Sequence, residues 1–370
     1  MHASQWRHQA LARIDSQAIA VAPLIDRPEP VRDADGLAFW DAWPVQDRAG
    51  MPRRLVHGGT LWMALGAPRA PDPDERHALA RIHLIHRDDG GWRHIGPAMP
   101  DGFSPGSREW SGSAVADDDG TVTLYFTAAG RRGEPVVTFE QRLFAARCTM
   151  RDTPGGPSCT DWCDLMEIVE RDPAFYMDTA GGGAIGTIKA FRDPAYFHDP
   201  ASGMAYLLFA GSLAGSSSAF NGVVGAAQID PAAASGWRIL PPIVSADLLN
   251  NELERPHMIY HDRLYYLFWS TQAHVFDPQG PIGPTGLYGM VSHDLLDGWR
   301  PLNGSGLVFA NPPEAPAQAY SWLVLPDLSV TSFVDQWGVD AAACTPKRFG
   351  GTFAPFLTLR LDGETARLAV

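Results

Sequence analysis

Positive charge is scarce in this sequence and lysine almost absent. Lys+Arg number 29 against 42 Asp+Glu, giving a formal net charge of -13, and the only lysines are Lys189 and Lys347. Without a Lys/Arg cluster, nucleic acid and anionic membrane surfaces are excluded as partners, because both need concentrated positive charge. A neutral small molecule is the easiest partner. Arginine, which carries nearly all the positive charge, favours planar, bidentate pairing with carboxylates and sugars. Cysteine is also sparse: Cys148, Cys159, Cys163 and Cys344 form no CxxC, which argues against a disulfide scaffold and a structural zinc site. Cys159 and Cys163, four apart, are expected to remain unpaired thiols. No apolar run is long enough to span a bilayer. Residues 1–24 lack the apolar core of a secretory signal, so no signal peptide is expected in the chain.

What is present is a 370-residue chain, 45% hydrophobic, able to bury a large core. Apart from a short helix expected around residues 5–17, it reads as short β-rich runs bounded by Gly, Pro and Asp, so the expected class is all-β. A module recurs five times: one or two polar or aromatic residues, a strand, a tight turn, and a second strand rich in Leu, Tyr or Phe. It is read after Asp41, after Trp110-Ser111, after Arg192-Asp193, after Glu254-Arg255 and after Tyr320-Ser321. Five such hairpins predict a five-bladed β-propeller over a β-sandwich. Residues at equivalent strand starts would then converge on one axial pocket. The expected organisation is a single catalytic domain over 1–370, with 1–25 an N-terminal extension packed on the propeller.

Three acidic islands carry the candidate chemistry. A retaining glycosidase needs one ionised carboxylate as nucleophile and one protonated carboxyl as acid, later base, about 5 Å apart. Asp41, between Trp40 and Trp43, suits the first role, since indole rings offer flat apolar walls to a sugar. Glu254 suits the second, because nearby Glu252 and partial burial would both raise its pKa. Asp193 follows Arg192 and precedes Pro194, and would accept hydrogen bonds from sugar hydroxyls as positive charge develops on the ring. Each island alone is matched by a bland reading as a surface ion pair or strand start. The histidines form no metal set: His257 reads as a satisfied strand residue, and His2, His8, His77, His83, His86 and His94 as surface or turn positions. The glycine pairs and triplets at 155–156 and 181–183 read as loops, lacking the context of a phosphate cradle.

Taken as a set, the islands resemble a family. Trp40-Asp41-Ala42-Trp43-Pro44, Glu109-Trp110-Ser111-Gly112-Ser113-Ala114, Phe191-Arg192-Asp193-Pro194, Ala219-Phe220-Asn221-Gly222, Glu252-Leu253-Glu254-Arg255-Pro256-His257, Ala319-Tyr320-Ser321 and Gly350-Gly351-Thr352-Phe353-Ala354-Pro355 are similar, in order, to the landmarks of glycoside hydrolase family 68. That family comprises levansucrases, inulosucrases and β-fructofuranosidases, and the match runs from about Asp26 to Leu359. The resemblance implies a five-bladed propeller and a double displacement on sucrose through a covalent fructosyl-enzyme. Asp41 would be the nucleophile, Glu254 the acid/base and Asp193 the transition-state stabiliser. Trp40, Trp110 and Ser111 would frame the fructosyl subsite, with Ser111 orienting Asp41. Arg192, Glu252, Arg255 and Tyr320 would wall the glucosyl side or position Glu254.

Two departures bear on the acceptor side. Gln272 stands where many relatives carry Arg or His, and Trp322 where His is usual, which favours hydrolysis and short fructooligosaccharides over β-2,6 polymer. The Asp that opens the acid/base motif in calcium-binding members is Asn251 here, so no cofactor and no structural calcium are expected. The expected partners are sucrose and sugar acceptors, and the location is cytoplasmic, or extracellular or periplasmic by a signal-independent route. An inverting arabinan- or xylan-acting propeller, with carboxyls roughly 6.5 to 9.5 Å apart, and a non-catalytic sugar-binding propeller are the alternatives.

Overall fold

A computed structural model describes residues 3–15, 17–180, 188–338 and 348–369, and they form an all-β structure. The helical segments among them are single turns: His8–Leu11, Arg76–Leu79, Pro73–Glu75, Ala273–Val275 and Leu302–Gly304. The strands form four hydrogen-bonded sheets, the largest of nine strands, within which five antiparallel meanders can be followed. The first comprises Leu37–Gln46, Thr60–Pro68, Arg81–Asp88 and Gly91–Pro97, and the second Arg108–Ala116, Thr121–Ala129, Gln141–Thr153 and Gly156–Val169. The third comprises Phe191–His198, Ala205–Ser212, Gly222–Ile229 and Trp237–Ser245. The fourth opens with Glu254–His261 and Leu264–Thr271, and the fifth with Ala319–Val324 and Ser329–Gln336.

Four of the five recurrent hairpins read in the sequence correspond to the first two strands of a meander; in the one read after Asp41, residues 55–56 are not a strand, and Thr60–Pro68 pairs instead with Leu37–Gln46, which carries Asp41 itself. The first strands lie side by side in chain order, and Ser329–Gln336 and Phe349–Phe353 of the fifth meander pack onto Leu37–Gln46. The first two meanders are joined further by a parallel pairing of Val45 with Ala114 and Gln46 with Val115. Of these inner strands Leu37–Gln46 and Arg108–Ala116 are buried along nearly their whole length, polar residues included.

The N-terminal segment differs from the expected helix over residues 5–17. Among the described residues of that range only His8–Leu11 is helical, and Arg7 at its N-cap offers no side-chain cap. Trp6 decides the local path. It is fully buried, edge-on to Trp269 at 5.3 Å and beside Phe276 and Tyr288, and its indole N–H donates to Ser305 O. Burial of one large indole outweighs the weak propensity of a short helix. Ser4–Gln5 adds as a parallel strand to Trp237–Ser245. Cys159 and Cys163 are free thiols, as expected, and so is Cys148; Gly155-Gly156 lie at a hairpin turn. Cys344, Lys347, His2 and the 181–183 glycines lie outside the described residues.

Candidate active site

A repeated backbone irregularity builds the site. In all five inner strands the pairing register slips at equivalent places: after Trp40, Trp110, Arg192, Glu254 and Tyr320. The residue after the slip has a left-handed backbone in four of them, with φ of 49° at Asp41, 64° at Asp193, 49° at Arg255 and 60° at Ser321. Such a conformation costs on the order of 1–3 kcal/mol for a residue other than glycine and persists where the surroundings over-determine it. In a regular strand, consecutive side chains face opposite ways; a bulge re-aims them. Trp40 and Asp41, Trp110 and Ser111, and Arg192 and Asp193 therefore all line one cavity of about 510 Å³. Glu252, Glu254, Gln272 and Tyr320 line it too. The polar residues thus sit at bulges within the inner strands, not ahead of them.

Arg192 organises the charges. Its Nη2 bonds the Glu252 carboxylate and lies 3.7 Å from Glu254 Oε1, while its Nε is 3.4 Å from Asp193 Oδ2. Burial pushes the Glu254 carboxyl up to about 7. Arg192 opposes the shift, and the charges of Asp41 and Asp193 reinforce it. The like charges that matter are therefore those two aspartates, whereas Glu252 is matched by Arg192. Asp193 is also raised, first by burial, with Arg192 and Ser111 pulling it back. Burial and then the Glu254 charge hold the Tyr320 phenol, which faces Glu254, well above its ordinary value. A group protonated near neutrality beside two further carboxylates can serve as a proton donor across a bound substrate.

Several placements differ from those expected. Ser111 Oγ donates to Asp193 Oδ1 at 2.6 Å, so it orients Asp193 and not Asp41. Thr127 supports the same residue by accepting from the Asp193 main-chain N–H at 2.9 Å. Arg255 does not line the cavity: its guanidinium donates to Ala42 O at 2.9 Å and Ser321 Oγ at 3.0 Å, locking the strand that carries Asp41. It faces a second cavity on the far side of the bulges, together with Trp43 and His257. Trp322 is also no wall of the first cavity; it is 1% exposed, packs behind Tyr320 at 6.1 Å and against Phe309. His83 and His86 are buried, bonded to His94 and Gly58 O. His257, as expected of a satisfied strand residue, bonds Arg255 O and accepts from Val324 N–H.

The sequence reading missed one wall, which includes Asp74, Arg76, His77, His274, Asp335 and Phe349. Arg76 stacks 4.2 Å from the centre of the Phe349 ring and 5.7 Å from that of Trp40. His77, read as a surface residue, lines the cavity, and burial followed by the Arg76 charge lowers its pKa to about 4. The signal for this segment is local: Asp72 caps the turn by accepting from Asp74 N–H, with Pro73 in the first turn. No group of three or more His, Cys, Asp and Glu able to hold a metal occurs among the described residues.

Comparison with known proteins agrees along the whole chain. The family model for levansucrase/invertase, glycoside hydrolase family 68, matches residues 1–221 and 215–369. Levansucrase Lscbeta of Pseudomonas syringae pv. actinidiae is 31% identical over 402 residues, covering 97% of this chain and 88% of that protein. A levansucrase of Zymomonas mobilis is 32% identical, covering 98% and 89%. Among solved structures, an inulosucrase from Halalkalicoccus jeotgali bound to kestose superposes with a TM-score of 0.89 at 34% identity, covering 99% of this chain and 95% of that one. With the landmark residues gathered on one cavity and these matches spanning the chain, the protein belongs to glycoside hydrolase family 68 and is an enzyme of that family.

Proposed function

We propose that the chain is a five-bladed propeller whose axial cavity cleaves sucrose by retaining fructosyl transfer. The observation that carries this reading is the convergence of Asp41, Asp193 and Glu254 on one cavity, with Glu254 pushed up to about 7. In the first step an Asp41 oxygen bonds to the fructosyl anomeric carbon as the bond to the glucosyl oxygen breaks. Glu254 gives that oxygen its proton and glucose leaves. Water or a sugar hydroxyl then attacks the same carbon, Glu254 recovers the proton, and Asp41 is released. Atoms and charge balance without a cofactor. Asp193, held by Ser111, accepts hydrogen bonds from fructosyl hydroxyls, and these strengthen as the ring gains positive character.

The volume suits a small saccharide, lying within the usual range of about 300–1,000 Å³ for ligand sites. Hydrolysis and short-oligosaccharide transfer remain favoured over β-2,6 polymer. That preference now rests on Gln272, which lines the cavity, and no longer on Trp322, which does not. Incubation with sucrose, following glucose and free fructose, tests the reading. Glucose with equal fructose is expected for hydrolysis, a fructose deficit for transfer, and no glucose release would sink it.

Ser111→Ala tests the Asp193 contact. A hydrogen bond to a charged group is worth about 1.5–3 kcal/mol, so kcat/KM for sucrose should fall roughly 10- to 100-fold. Initial rates within a factor of two of the parent would show that the hydroxyl is dispensable.

A further inference from the structure

Lys189 is one of only two lysines in the chain. It lies three residues before Arg192, and its main chain is fixed by Gln141, whose amide donates to Lys189 O at 2.7 Å and accepts from Phe191 N–H at 2.9 Å. The side chain is half-buried, and burial lowers the ammonium pKa. Such a charge is expensive unless every proton is matched. Here all three have an oxygen: Ala219 O, Asn221 Oδ1 at 3.0 Å and Asn251 Oδ1.

The partners are themselves held from behind. The Asn221 amide donates to Leu213 O at 2.9 Å, and that of Asn251 points toward Ile188 O at 3.4 Å, so both carbonyl oxygens are turned to the lysine. Three separate chain segments meet on one nitrogen: the entry to the third meander, the start of its Gly222–Ile229 strand, and the loop before the fourth meander. That loop runs directly into the active site. Asn250 Oδ1 accepts from Glu252 N–H at 2.7 Å, and Glu252 takes Arg192. An arginine would present a flat fork here, whereas a cone of three donors needs an ammonium.

We infer that the Lys189 ammonium is a built-in cation that pins the Asn250-Asn251-Glu252 loop and, through it, positions Arg192 and Glu252 beside Glu254. Among the described residues the ammonium bonds Ala219, Asn221 and Asn251, none of which lines the cavity, so its role is positioning. The inference rests on the sucrose reading for its kinetic test only.

The experiment compares Lys189→Ala and Lys189→Met with the parent chain, in methylammonium chloride and in equal tetramethylammonium chloride. Lys189→Met keeps an apolar stem and removes only the charge and its donors. Both variants should melt earlier and lose roughly 10- to 100-fold in kcat, with KM for sucrose changed less than about threefold. Methylammonium should restore part of the melting midpoint and of kcat to Lys189→Ala, and tetramethylammonium, which has no N–H, neither. A parent-like midpoint and kcat would overturn the inference. So would a loss that methylammonium repairs no better than tetramethylammonium, which would assign the effect to packing of the stem. Should Lys189→Ala fail to fold, its yield of folded protein on refolding in the two salts gives the same comparison. Absence of sucrose turnover in the parent would end the functional reading and leave the melting comparison to judge the lysine alone.

Discussion

Asp41→Asn is expected to cut glucose release from sucrose by roughly 10⁴-fold or more while leaving the fold intact, as removal of a nucleophile does in an enzyme whose groups act as a unit. Asparagine is the informative substitution because of where the residue sits. Asp41 lies at a bulge with φ 49°, a conformation that asparagine tolerates better than most residues. An alanine there would confound a lost carboxylate with a strained backbone. The strand is also locked from outside the cavity by Arg255, whose bond to Ala42 O does not involve the Asp41 side chain. The amide should therefore hold the position of the carboxylate without its nucleophilicity. Removing one of three neighbouring acidic groups relieves repulsion on Asp193 and Glu254, so the melting midpoint should stay level or rise. Initial rates, thermal melting and sucrose binding by calorimetry check this together. Turnover within tenfold of the parent would refute the assignment, and loss of binding would assign Asp41 to recognition.

What was legible in the sequence follows the range of the interaction concerned. The residue just before each bulge could be read from short motifs, because the chemistry of Trp-Asp, Arg-Asp and Glu-Arg pairs is written in adjacent letters. The bulge itself could not. In a regular strand neighbouring side chains face opposite ways, so the geometry that brings both Trp40 and Asp41 onto the cavity while turning Arg255 away from it is not written in the motifs. Contacts between meanders were beyond reach for the same reason: Ser111 and Asp193 are 82 residues apart, and nothing near either chooses Asp193 over Asp41. The wall around Arg76 and His77 was missed although its cap at Asp72 is local, because a cap says where a turn begins and not what it covers. Trp322 shows the converse. It reads as a departure from a family pattern, yet it packs in the core behind Tyr320 and does not line the cavity. A changed letter in a motif locates a difference, and only the side chain's direction says what the difference does.

Glu254→Gln should lower kcat/KM for sucrose by roughly 10²- to 10⁴-fold, the usual span for a lost general acid, and should change the pH profile as well as its height. Glu254 donates only when protonated. With its pKa near 7 the active form is present below that pH and is lost above it, so the parent's kcat/KM should fall about tenfold per pH unit on the alkaline side. A fructosyl donor whose leaving group needs no proton should escape that limb, and with it Glu254→Gln should still release the leaving group. Stability gives a second reading that needs no turnover. The folded pKa lies above the ordinary carboxyl value of 4.5, so the folded state binds the proton more tightly than the unfolded chain. This contribution is complete below about pH 4.5, shrinks as pH rises through 7, and is gone above it. Glutamine carries no such dependence. The midpoint of Glu254→Gln minus that of the parent should therefore climb between about pH 5 and 7.5 and then level off. A flat difference would mean that Glu254 titrates normally. Its pKa would then be too low for a proton donor at neutral pH, whichever sugar the cavity takes.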